Sequence, residues 1–189
     1  IFGCTSIEKE IIIEESSKAT ITIEDIEVID DTNNNSIKVN TSNLGLGAYE
    51  FQLLDDNSTI ISDYQNTPFF DNLVGGVYTL VVNDIKGCGA VSFDVSLLSF
   101  PKFFTPNEDG INDYWKIKGI SRNFYQSGNV SIFNRYGKLI SKHNIDDIGW
   151  NGTYNGKILT SNNYWFYAEL VDVNGKLRTR SGNFSLLRN

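Results

Sequence analysis

What most constrains this chain is its period. Apolar and polar residues alternate in short β-branched or aromatic runs: "ATITI" (19–23), "SIKVN" (36–40), "AYEFQLL" (48–54), "GVYTLVVND" (76–84) and "AVSFDVSLL" (90–98). Alternation places successive side chains on opposite faces of an extended strand. Nowhere does the i, i+3, i+4, i+7 spacing of an amphipathic helix persist. Clusters such as "DDTNNNS" and "LLDDNST" separate the runs at the intervals expected of an antiparallel sandwich. In "VYTLVV" both alternating sets suit burial, so both faces of that strand are expected to be covered. The second half continues the pattern with "YWKIKG" (114–119), "NVSIFNRYGKLIS" (129–141), "NNYWFYAELVDVNGK" (162–176) and "GNFSLLRN" (182–189). Within it, "NRYGK" supplies a turn, and Asn174-Gly175 is the strongest short hairpin signal in the chain. The fold class that follows is all-β, two antiparallel β-sandwich domains in tandem.

Charge divides the chain. Residues 1–99 hold four Lys, no Arg and sixteen Asp or Glu, a net of −12, whereas residues 100–189 hold twelve Lys or Arg and seven Asp or Glu, a net of +5. All three Trp (Trp115, Trp150, Trp165) lie in the second half. The shift places a boundary near residue 98; one domain with uneven faces is the alternative. "FGCTSIEKEI" and "KGCGAVSFDV" echo one another with a Gly-Cys before an alternating run. On that echo, residues 1–16 are expected to be the last strand of an upstream module. Residues 17–97 form a complete module and 98–189 the last domain. Equivalent positions in tandem modules lie too far apart for a Cys4–Cys88 disulfide. The start, "IFGCTSIEKE", has neither an initiator Met nor a signal-peptide layout, which suggests the C-terminal piece of a longer chain. No run of about eighteen apolar residues exists, so no membrane-spanning helix is expected.

Catalysis finds little support. A Ser-His-Asp or Cys-His arrangement would need the one histidine, His143, which sits in polar "SKHNIDD" and is expected in an exposed loop. No G-x-S-x-G elbow, P-loop, dinucleotide fingerprint or Cys/His zinc spacing is present. Paired carboxylates could serve a glycosidase, but no cleft can be argued for them. The Lys and Arg of the second half are scattered rather than striped, which argues against nucleic acid as a partner.

One stretch interrupts the strands: "FPKFFTPNEDGINDYWKI" (100–117). Pro106 pushes Thr105 towards an extended conformation. Asn107, Asp109, Asn112 and Asp113 surround Gly110, and two readings stand side by side. Asn107, Asp109 and Asp113 offer hard oxygens at the spacing calcium uses, or these side chains cap their own backbone in Asx-turns. Residues 105–113 are expected to be a boundary and entry loop.

"FFTPNEDGINDYWKI", "VSIFNRYGKLI", "GWNGTYNGKIL" and "NYWFYAELVDVNGK…GNFSLLRN", in that order, resemble the gliding-motility-associated C-terminal domain, the type B sorting domain of the Bacteroidetes type IX secretion system. The resemblance covers residues 98–189. Within the first half, "YEFQLLD", "FFDNLVGGVYTLVVND" and "KGCG" resemble the Ig-like modules that precede this domain in large surface adhesins. The resemblance implies a non-catalytic sorting signal on a secreted, adhesin-like protein. It would carry the protein through the periplasm and the outer-membrane translocon to the cell surface, with outer-membrane shuttle or anchor proteins as further partners. The residues it singles out are Pro106, Asn107, Asp109, Gly110 and Asp113 in the entry loop. Phe133, Asn134, Arg135, Tyr136 and Gly137 make a hairpin, where Arg135 could make a forked contact. Trp150, Gly152, Tyr154 and Gly156 shape the next loop, and Tyr164 and Trp165 pack the core, with Trp150 also expected there. "GNFSLLRN" is a candidate edge for strand addition, or it completes the sandwich. This chain departs from the family pattern at Glu108, where Gly is usual, at Asn151, where Asp is usual, and in "TSNNYW". The rival reading is a calcium-stabilised carbohydrate- or surface-binding sandwich whose aromatics touch ligand.

Overall fold

The computed structural model describes residues 9–188. The first unit holds β1 (Ile26–Ile29), β2 (Asn35–Val39), β3 (Tyr49–Asp55), β4 (Ile60–Gln65), β5 (Phe69–Leu73), β6 (Gly76–Asp84) and β7 (Gly89–Leu97). A three-stranded sheet, β1-β2-β5, packs on a four-stranded one, β4-β3-β6-β7, with every pairing antiparallel. Alternation explains the core. Phe51 and Leu53 of β3, Tyr78, Leu80 and Val82 of β6, and Val95 and Leu97 of β7 point inward against Ile37, Val39 and Phe70. The other face of β6 is only half-buried, since Val77, Thr79 and Val81 lie on the outside of the sandwich and Thr79 bonds Asp94 across the sheet.

The second unit holds β8 (Phe103–Phe104), β9 (Tyr125–Phe133), β10 (Leu139–Asn144), β11 (Thr153–Tyr154), β12 (Lys157–Ile158), β13 (Asn162–Asp172) and β14 (Leu177–Leu186). Its main sheet runs β10-β9-β13-β14-β8, antiparallel except for the parallel β14–β8 pair, with β11 and β12 forming a small separate ribbon. The layer over the inner face of this sheet is mostly irregular. "YWKIKG" forms no strand; Trp115 and Trp150 exchange backbone hydrogen bonds of 2.8 and 3.0 Å as an isolated bridge. Their indole N–H groups donate to the carbonyls of Pro101 and Thr153, so both rings can be buried without an orphaned donor. Trp115 stacks on Phe184 at 4.4 Å, Phe100 on Phe166 at 5.0 Å, and Trp150 meets Tyr164 edge-on at 4.8 Å. The fold is thus two β-sandwich units in tandem, one with a mostly aliphatic core and one far richer in aromatic rings.

"ATITI" is not a strand. Ala19 and Ile21 do plug the first sandwich, but Thr22 instead caps a 3-10 turn at Ile23–Asp25, its N–H and hydroxyl both donating to Asp25. Residues 9–16 carry no strand either, while residues 1–8 lie outside the described part. So does Cys4, and with it the expectation about a disulfide; Cys88 is exposed in the β6–β7 turn.

The units meet without a spacer. Leu97 lies in the first core and Leu98 in the second. Ser99 and Lys118 exchange backbone hydrogen bonds, and Ser96 Oγ donates to the Gly119 carbonyl at 2.7 Å. Gly119 has φ +80°, and a Cβ there would lie 2.1 Å from the Leu97 carbonyl oxygen, so the approach needs glycine. Asp30 accepts from the Leu98 N–H and takes a forked pair from Arg178, while Asp31 pairs with Arg180 at 2.7 Å. The charge asymmetry of the sequence is therefore spent partly on this joint.

Candidate functional site at the far end of the second unit

Register fixes where the motifs gather. Asn162 pairs with Leu186, and Trp165 pairs with Phe133, so the start of β13 and the ends of β9 and β14 share one end of the sheet. Arg178, at the joint, pairs with Leu170. Eight residues of strand separate these positions, about 27 Å at ~3.4 Å per residue. The entry loop, the "NRYGK" hairpin, the "GWNGTYNGK" loop and the chain's last described residues all lie at the far end, away from the first unit. Residues 105–113 are therefore not at the boundary, because β8 carries the chain from the joint to this pole first.

The "NRYGK" turn is a three-residue loop closed by its asparagine. Asn134 Oδ1 accepts the N–H groups of Tyr136 and Lys138, both at 3.0 Å, and Gly137 adopts φ +76°. Asp172 does the same for Asn174 and Lys176, and Asp55 for Asn57 and Thr59. Hence Asn174-Gly175 does not make a two-residue hairpin; Asp172 recruits it into the longer form. The two-residue Asn-Gly turn occurs instead at Asn155-Gly156, where both residues have positive φ. At the "NRYGK" tip Arg135 makes no fork to a carboxylate. Its guanidinium lies over the Tyr136 ring at 4.8 Å and donates to the Tyr136 hydroxyl, and both side chains are exposed. Lys138 sits over the Tyr154 ring at 4.7 Å, which links this hairpin to the neighbouring loop.

The entry loop is organised by one carboxylate. Asp113 Oδ1 accepts the N–H groups of Asn107 and Glu108, and Oδ2 accepts that of Gly110. Desolvation pushes the Asp113 carboxyl up, but the amides of Glu108, Gly110 and Asn107 together outweigh it and hold it below the usual carboxylate range. Asp109 accepts from Ile111 N–H and from the Asn107 side chain. The oxygens proposed as calcium ligands thus face backbone and side-chain N–H donors, not a common point. Among the described residues no group of three acidic, His or Cys side chains converges. The loop does not fit calcium; the Asx-turn reading describes it. Glu108 adopts φ +66°, a left-handed conformation that Gly would take without penalty. Asn151 Oδ1 accepts from both Thr153 N–H and Thr153 Oγ1, an arrangement Asp would make equally well.

Sequence reasoning missed the residue that ties the pole together. The Arg188 guanidinium donates to three carbonyls from three segments: Leu159 (3.1 Å), Asn151 (3.1 Å) and Pro106. Its own backbone is held by Ser161. Gly152 lies against this clamp at φ +77°, where a Cβ would come within 2.5 Å of Leu186 and 2.9 Å of Arg188. A lone arginine beside a chain terminus carries no sequence signal of such a role.

Other expectations change. Trp165 is 42% exposed on the outer face of β13, opposite Phe133 and Asn183, because it is out of phase with the inward set Tyr164, Phe166, Ala168 and Leu170. Trp115, not singled out, is the fully buried tryptophan. "GNFSLLRN" is no free edge: β13 pairs it on one side, and Ser185 and Leu187 donate to Lys102 and Phe104 on the other. His143 lies in β10 rather than in an exposed loop, with both ring nitrogens buried and unpartnered. Burial pushes its pKa down, more than the Asp147 carboxylate pulls it up.

Residues 98–186 match the family described as CHU_C Type IX secretion signal domain. That match supports a sorting signal, the mark of a secreted protein bound for the type IX secretion machinery, in the second unit. No curated protein matches the chain. Among solved structures it is similar to a two-domain fibronectin type III segment of chicken tenascin (15% identity, 85% of this chain and 97% of that one, TM-score 0.34). It is also similar to dimeric latent PorU from Porphyromonas gingivalis (14% identity, 95% of this chain and 20% of that one, TM-score 0.31). Likenesses this distant carry no argument about role. No helix among the described residues is long and apolar enough to cross a membrane.

Proposed function

We propose that this chain is the C-terminal region of a secreted, adhesin-like surface protein of a gliding Bacteroidetes bacterium. Residues 98–189 act as its sorting signal at the outer-membrane type IX translocon, handed on to outer-membrane shuttle or anchor proteins. The Ig-like unit before it serves as the last module of the displayed region, and no reaction is catalysed. The observation that carries this reading is the family match over 98–186, three of whose loops, the entry loop, "NRYGK" and "GWNGTYNGK", meet at one pole turned away from the preceding unit. The pole has the character of a recognition surface: exposed Arg135 and Tyr136, and loops stiffened by Asn134, Asp113 and Arg188. The rival binding-module reading needs Trp150 and Trp165 together on one face, and Trp150 is only 4% exposed inside the core.

The test is a periplasm-targeted reporter fused either to residues 1–189 or to residues 1–97 and expressed in a gliding bacterium. The longer fusion is expected on the cell surface and the shorter in the periplasm. Equal surface display of both would sink the sorting reading.

A further inference from the structure

The free edge of β8 borders two adjoining surface cavities of about 230 and 370 Å³, the larger lying at the joint, where Thr32, Asn35 and Leu73 of the first unit also line it. Both are lined by Pro101, Phe103, Asn112 and Lys118. In the parallel ladder Ser185 donates to the Lys102 carbonyl and Leu187 to the Phe104 carbonyl. That geometry turns the Phe103 N–H and C=O away from β14, and β8 has no second neighbour in its sheet. The walls are apolar and basic at once. Phe103 is 50% exposed, and Lys102, Lys116 and Lys118 are exposed, none of them in an ion pair among the described residues.

We propose that this cleft is a docking site for an acidic, extended polypeptide segment of a partner protein, laid along the β8 edge. The backbone of Phe103 would supply main-chain hydrogen bonds, and alternate side chains of the guest would reach Phe103 and the three lysines. Charge complementarity selects the guest. The three lysines are unpaired among the described residues, and the one carboxylate lining either cavity, Asp113, is already taken by three backbone N–H groups, so an acidic strand gains where a basic one is repelled. The inference rests on the sorting reading only for its biological setting: it names the chemistry by which secretion machinery would hold this domain.

The binding test uses the whole ¹⁵N-labelled chain and, as probe, a capped heptapeptide alternating Glu and Val. A Gln-Val peptide and phosphatidylglycerol vesicles serve as comparison arms. The acidic peptide is expected to shift the amide signals of Phe103, Lys116 and Lys118. Its binding is expected to weaken about fivefold to tenfold in Lys116→Glu/Lys118→Glu, as loss of two exposed charge contacts implies. Lys116→Gln/Lys118→Gln, which adds no repulsion, is expected to lose less. No shift at Phe103, equal binding of the Gln-Val peptide, preference for vesicles, or self-association of the chain through this face would each overturn the proposal. Export separates the two readings. If wild type is exported and the charge-reversed variant is exported equally, the cleft falls and the sorting reading stands. If wild type is not exported, the sorting reading falls while the peptide titration still judges the cleft.

Discussion

The two units solve the same problem, covering one face of a β-sheet, with different materials. The first lays sheet on sheet, and mostly aliphatic side chains at alternate positions of the inner strands fill the space. The second covers a five-stranded sheet with loops, and large rings do what a second sheet would otherwise do. An irregular layer has few side chains per unit area, so each must be large, and each must satisfy the polar groups it buries. Trp115 and Trp150 meet both demands through their size, their mutual bridge and their paired indole donors. Stability in the first unit is thus spread over many small contributions, whereas in the second it is concentrated in a few.

The largest test of that contrast is Trp115→Ala. Truncating a fully buried tryptophan should remove about 3–5 kcal/mol, much of a domain's stability. Chemical denaturation followed by tryptophan fluorescence and far-UV circular dichroism should show the second unit melting far below the first. A shift of both transitions together would mean the cores are not separate. Next comes Gly152→Ala, which forces a left-handed alanine into Leu186 and Arg188. Overpacking and backbone strain together should lower the second transition by about 2–4 kcal/mol and leave the first in place.

The joint offers a middle-sized test. A double-mutant cycle of Asp30→Ala and Arg178→Ala should give a coupling of about 1–3 kcal/mol, because the Asp30 side chain is only 10% exposed. Either single variant should also pull the two unfolding transitions apart. Additivity of the two would show that the units merely touch. A smaller effect of opposite sign is expected from Glu108→Gly, which relieves the left-handed glutamate and should raise the midpoint of the second unit by about 1 kcal/mol.

The smallest effect is in pH. Because burial lowers the folded pKa of His143, the unfolded chain takes up the proton first as pH falls through about 6.5. The second unit is therefore fully stable with respect to this group above that value and loses stability below it. His143→Leu should flatten the melting-temperature profile between neutral and mildly acidic pH, with the first unit unchanged.

How far the sequence could be read follows from the same contrast. Strand alternation reports burial wherever a sheet covers a sheet, so β2, β3, β6 and β7 were legible. So were the hairpins, whose Asn and Gly carry backbone preferences of their own. Alternation says nothing about a layer without strands. "YWKIKG" looks like a strand because Trp115 and Ile117 are both buried, yet it bonds through isolated bridges. Trp165 looked like core because it adjoins Tyr164, although neighbours in a strand must point opposite ways. β4 and β5 lack alternation because they lie largely at the surface. The entry loop's residues were legible as a group, but the choice between metal and amide donors depended on where three N–H groups point. Arg188 acts through contacts with Pro106, Asn151 and Leu159, which no local pattern encodes.

The direct step from Leu97 to Leu98 has a mechanical meaning. With no linker residues between the two cores, a force on one unit is passed directly to the other. It arrives through a short backbone ladder and a pair of arginine–carboxylate clamps loaded together. A twist of one unit against the other would have to break the Ser99–Lys118 ladder and both clamps together.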